Sequence, residues 1–158
     1  MLFRSALKAC TWNVSADEVL DWLKQTPAIE TATVQALERV LRRASVATWS
    51  TAAERDWADK PALAACVVQV QDWREGLRAP RPLPQWLQAL RGLLEANGQW
   101  PTLATDAAGA RVVAALRLQE GHEAEIEAWD SAGRRMSLAE FTRWANEVLE
   151  AARYVPMQ

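Results

Sequence analysis

The stretch SLAEFTRWANEVL (137–149) decides the fold class of this chain. Leu138, Phe141, Trp144, Ala145, Val148 and Leu149 recur at intervals of three and four, the spacing that stacks side chains on one face of an α-helix. Ser137 stands just before this run and Glu140 three residues after Ser137, the pairing of a capping box, so the same stretch also marks where the helix begins.

The same pattern continues upstream. PALAACVVQVQDWREGL (61–77) repeats Leu63, Cys66, Val67, Val70, Trp73 and Leu77 at buried-stripe spacing, with Pro61 suited to a first helical position, and predicts a central helix. Residues 31–44 place Val34, Leu37, Val40 and Leu41 inward and Glu38, Arg39, Arg42 and Arg43 outward. Ser15 and Glu18 predict a capping box, with Glu18 returning a bond to the Ser15 backbone N–H, for a helix that carries Val19, Trp22 and Leu23 and stops at Pro27. Residues 2–10 read as a helix, with Leu2, Phe3 and Leu7 as the expected exposed apolar face. Thr51 and Glu54 predict a further capping box ahead of a short helix bearing Trp57. The prolines of APRPLP (79–84) favour an extended connector, and a helix follows from Pro84 with Trp86, Leu87, Leu90, Leu93 and Leu94 until Asn97-Gly98 ends it. A turn after Trp100-Pro101 and a long helix over 106–131, interrupted at its polar middle with Gly121, complete the reading. Sustained period-two alternation is absent, so strands are at best marginal. The expected fold is all-α, an irregular bundle of about seven or eight helices forming a single domain over residues 1–158.

Composition narrows the class. A 17.6 kDa chain with half its residues hydrophobic is the size of one self-sufficient core. Cys10 and Cys66 each lie in an apolar helical stretch, which predicts two reduced core thiols and a cytoplasmic setting. No apolar run reaches the roughly 20 residues of a membrane span. A net charge of −2 argues against nucleic-acid binding by bulk electrostatics but leaves room for a local basic patch.

Two such patches stand out: Arg39, Arg42 and Arg43 on one helix, and Arg134 and Arg135 just before the last. Guanidinium groups suit phosphate, and these five are the candidate DNA contacts. The opposing reading is surface charge balanced by Glu38 and nearby acids. Nine tryptophans invite stacking on single-stranded bases, but most lie on apolar stripes, where packing explains them. Trp49, in VATWST, and Trp100 are the two whose surroundings leave exposure open. The run Glu120, His122, Glu123, Glu125, Glu127, Asp130 contains acids one turn apart, yet its single His falls short of a zinc-protease helix, and it reads as a solvated acidic face. No nucleophile-and-base grouping or Walker loop occurs, so no catalytic residue, metal or cofactor is assigned.

A resemblance extends this reading. ALKACTWNVSADEVLDWLKQTP (6–27), with Leu20, Trp22, Leu23 and Pro27, and SLAEFTRWANEVLEAARYVP (137–156) resemble the internal helical region of the bacterial inactivated superfamily I helicases fused to a PD-(D/E)XK nuclease, similar to the AddB subunit of helicase–nuclease complexes. The middle, 46–132, shares only helical character. The resemblance implies a fragment of a larger DNA-repair protein, equivalent to the 2B insertion of active helicases. It implies no activity of its own and, as partners, DNA, the rest of the parent chain and its partner subunit. The family's catalytic acids would lie outside these residues. The alternative from a different class is a protein–protein interaction or scaffold domain without nucleic-acid contact.

Overall fold

The computed structural model describes residues 2–116, 118 and 134–153. Among them the chain is all-α, with nine helices and one two-residue antiparallel ladder. The helices are α1 (Leu2–Ala9), α2 (Ala16–Leu23), α3 (Thr31–Arg43), α4 (Trp49–Glu54), α5 (Pro61–Glu75), α6 (Leu83–Ala96), α7 (Trp100–Thr105), α8 (Ala107–Ala115) and α9 (Leu138–Arg153). The ladder joins β1 (Arg81–Pro82), in the proline-rich connector, to β2 (Arg135–Met136), just before α9.

Packing follows the apolar stripes. α2 lies against α1 and α3, α3 against α5, α6 against α7, and α8 against α7 and α9. Large rings form the centre: Trp22, Trp49, Trp86 and Phe141 are fully buried. Trp22 meets Trp73 edge-on at 5.6 Å, while Phe141 stacks on Trp86 at 5.1 Å and joins α9 to α6. A buried indole N–H left unpaired would be costly. Trp49 donates to Gln71 Oε1 (2.9 Å), Trp57 to the Ala52 carbonyl (2.9 Å) and Trp86 to the Met136 carbonyl (2.8 Å). Cys10 and Cys66 are buried free thiols, and burial pushes Cys10 up to about 12 and Cys66 up to about 11.

Several expectations need revision. The capping box before Trp57 begins earlier: Thr48 Oγ1 accepts from the Thr51 N–H (3.4 Å) and caps α4, which buries Trp49 and Ala52 and leaves Trp57 beyond its end. Thr51 and Glu54 therefore lie inside α4 rather than at the start of a helix bearing Trp57, and Trp49, its first residue, is buried. The Glu18 carboxylate accepts from the Ser15 hydroxyl (3.2 Å) rather than from the Ser15 backbone N–H. The turn expected after Trp100 is α7, which takes Pro101 in its first turn, where a missing N–H costs nothing. Of the long helix expected over 106–131, α8 begins after Asp106, which caps it, and ends at Ala115; most of the remaining stretch, with Gly121, lies outside the described residues. Leu7, one of three residues expected on an exposed apolar face, is buried. The box at Ser137 and Glu140 forms as read, with reciprocal bonds of 3.2 Å. Asn97 and Gly98 end α6, with Gly98 at φ +84°.

Candidate nucleic-acid interface

Arg39 and Arg43 are four residues apart on α3, so they project from one helix face one turn apart, and both are exposed. The packing of α3 on α5 sets them along a groove shared with Lys60 and Pro61 at the amino end of α5. Ala36, Val40 and Leu63 supply its apolar floor, and the three cations line it. No side chain caps the start of α5, so the partial positive charge of its first free N–H groups adds to the same place. Lys60 also touches Asp59, at 3.1 Å, an exposed pair that solvent screens.

Arg42 departs from the expected trio. It turns toward α2, with Nε 3.1 Å from Glu38 Oε1 and Nη2 4.0 Å from Asp17. Lys24 reaches the other Glu38 oxygen at 2.8 Å, and hydrogen bonds from Lys24 and Arg42 hold the Glu38 carboxyl below the usual carboxylate range. The helical period explains the split: Arg39 and Arg43 share a face, and Arg42 lies on the side of Glu38. The balancing of charge by Glu38 therefore applies to Arg42.

The second cluster is similarly divided. Arg134 Nη2 lies 3.1 Å from Glu140 Oε2, the acid that completes the α9 capping box, while Arg135 is exposed in β2 opposite Pro82. This cluster sits at the ladder and the first on α3. No described hydrogen bond, ion pair or groove joins them.

Among the tryptophans, Trp49 is buried, so the polar letters around it mark a helix cap rather than a surface. Trp100 is half-buried beneath Arg91, whose guanidinium lies 4.5 Å from the ring centre. The indole that does stand out is Trp12, 85 % exposed on the loop between α1 and α2. Thr11 and Asn13 on either side, together with the capping Ser15, were the sequence signal for it: a tryptophan between two helices lies on neither helix's stripe. The acidic run, including His122, Glu123 and Glu127, lies outside the described residues.

Chemically, then, the described surface offers guanidinium and ammonium groups for anions and one indole face for a flat apolar group. Among the described residues no three His, Cys, Asp or Glu side chains gather as a metal site, and no helix is long and apolar enough to cross a membrane. Comparison with protein-family models, with curated proteins and with solved structures found no match to this chain.

Proposed function

We propose that this domain is a non-catalytic, 2B-like accessory unit of a DNA break-processing helicase–nuclease protein, and that it positions DNA or a partner subunit for catalytic parts located elsewhere in the parent. The observation that carries the reading is the α3–α5 groove, where Arg39, Arg43 and Lys60 surround an apolar floor at the uncapped start of a long helix. Guanidinium groups one turn apart match the repeated negative charge of a phosphodiester backbone, and this arrangement contacts phosphates without reading bases. The end motifs resembling the AddB-like family supply the context of DNA repair.

A net charge of −2 and the 60 % exposed Val68 on α5 favour a second reading, a protein–protein interaction domain without nucleic-acid contact. Fluorescence anisotropy of labelled duplex and forked DNA separates the two. Under the first reading, affinity falls as salt rises, and an Arg39→Ala/Arg43→Ala variant weakens binding about tenfold or more and flattens the salt slope by about two. Arg42→Ala, which removes a guanidinium turned toward α2, changes binding much less. Absence of binding even at low salt assigns the domain to the interaction class.

A further inference from the structure

Trp12 is unlike the other described tryptophans, which are buried or half-buried. Its position on a loop does not make it loosely held. Thr11 bonds back to the Lys8 carbonyl through its hydroxyl (2.7 Å) and its N–H (3.1 Å), and the Val14 carbonyl accepts from the Trp49 N–H (3.1 Å). Arg74 reaches across from α5, donating to the Ala9 carbonyl (3.1 Å) and the Thr11 carbonyl (3.0 Å) while a third bond goes to Gln71 Oε1 (2.8 Å). The segment that presents the indole is thus tied to α1, α4 and α5.

The same Arg74 lines a groove with Trp12, Arg78 and the first turn of α9 at Ser137. Its three bonds go to neutral acceptors, and Glu75 attracts it from the same groove without a described hydrogen bond to it. Arg78 spends one N–H on Glu75 (2.8 Å), and most of its guanidinium is exposed. The groove therefore carries two guanidinium groups against one carboxylate, next to a presented aromatic face. An indole offers its π-face to a planar ring, and adjacent guanidinium groups favour an anion linked to that ring. Charge and planarity together describe a nucleobase on its phosphodiester strand. An exposed strand supplies both features; a duplex keeps its bases stacked inside.

We infer that the groove between the α1–α2 loop, α5 and the start of α9 binds single-stranded nucleic acid, with a base stacked on Trp12 and the strand's phosphates at Arg74 and Arg78. This inference rests on the DNA reading of the domain but uses a different surface from the α3–α5 groove. The two surfaces would divide the work at a fork, duplex on one and displaced strand on the other.

The test is anisotropy of labelled oligo(dT), an abasic strand of equal length, duplex DNA and polyglutamate against the full chain and its Trp12→Ala and Trp12→Phe variants. Because Trp12 is so exposed, both variants should unfold at the wild-type midpoint, which is checked first. The expected result is an approximately tenfold loss for Trp12→Ala on oligo(dT), largely restored by Trp12→Phe, with abasic-strand and duplex binding unchanged. Wild-type affinity of Trp12→Ala for oligo(dT), alongside duplex binding that depends on Arg39 and Arg43, overturns the inference and leaves the function reading standing. Equal affinity for polyglutamate and oligo(dT) also overturns the inference, since bulk charge would then explain the groove. No binding of any DNA by the wild type removes both.

Discussion

At the residue scale, two helix ends show how the backbone constrains single side chains. α3 and α6 both end in a residue of left-handed conformation, Gly98 after α6 at φ +84° and Ser45 after α3 at φ 54°. After α3, the Ser45 N–H bonds the Arg42 carbonyl (3.2 Å) and the Val46 N–H bonds the Leu41 carbonyl (3.0 Å), the paired closure of a Schellman motif. A side chain in that conformation costs roughly 1–2 kcal/mol, and Ser45 is exposed with no described hydrogen bond from its hydroxyl to offset it. Ser45→Gly should therefore raise stability by about 0.5–1 kcal/mol, read as a higher urea midpoint. Gly98→Ala should do the reverse. Its Cβ would meet Pro27 Cβ at 3.1 Å in an already strained conformation, for a loss of about 1–2 kcal/mol. Sequence distinguished these positions only in part: Asn97-Gly98 declares its turn, whereas Ser45 carries no such mark.

At the element scale, α9 shows sequence and structure in closest agreement. Its capping box and apolar stripe were legible; its stacking partner was not, because nothing in the spacing of Phe141 names Trp86 fifty-five positions earlier. Ser137→Ala should cost about 1 kcal/mol in unfolding free energy by leaving the Glu140 N–H without its acceptor. The box also has a pH signature. The Ser137 backbone N–H bonded to Glu140 holds that carboxyl below its ordinary value of 4.5, with the Ser137 hydroxyl and Arg134 assisting. A carboxyl depressed in the folded state contributes stability that is fully present above its unfolded value and is lost as pH falls through the lower, folded one. The stability difference between the wild type and Glu140→Gln should therefore shrink as pH falls below 4.5, measured by denaturation across an acid series. At α4 the sequence signal was weaker. The expected cap was Thr51, whereas Thr48 caps α4 and the first helical residue, Trp49, is fully buried.

At the scale of the whole molecule, one buried amide joins distant parts of the chain. The Gln99 side chain accepts from Trp22 Nε1 (3.3 Å) and Asn97 Nδ2 (2.8 Å) and donates to the Gln25 carbonyl (2.9 Å). A second link lies beside it, from the Ala28 N–H to the Asn97 carbonyl (3.0 Å). Together they attach the end of α2 to the junction of α6 and α7. Gln99→Ala leaves the buried Trp22 indole N–H and the buried Asn97 side-chain N–H without their shared acceptor, so unfolding free energy should drop by about 2–4 kcal/mol in a urea titration. A polar residue at position 99 gave no hint of this role, since a lone Gln between two helices reads as loop. The candidate interface was more legible: Arg39 and Arg43 stand out by charge and the i,i+4 spacing of Glu38 and Arg42 is local, whereas the meeting of the first two with Lys60 required α5 packed on α3.

What the sequence determined by itself was the class of structure and most of its helices, because the periods of Leu63 to Leu77 and of Leu138 to Leu149 are local and a helix satisfies its backbone from within. Capping at Ser137 and termination at Gly98 belong to the same order of information, since each acts within a few residues. Only the tertiary structure decided which surfaces exist. Burial of Trp49 and Leu7, and the meeting of Arg39 and Arg43 with Lys60 and of Trp12 with Arg74, depend on which helix packs against which. Those choices arise from long-range side-chain fit, which periodicity cannot encode.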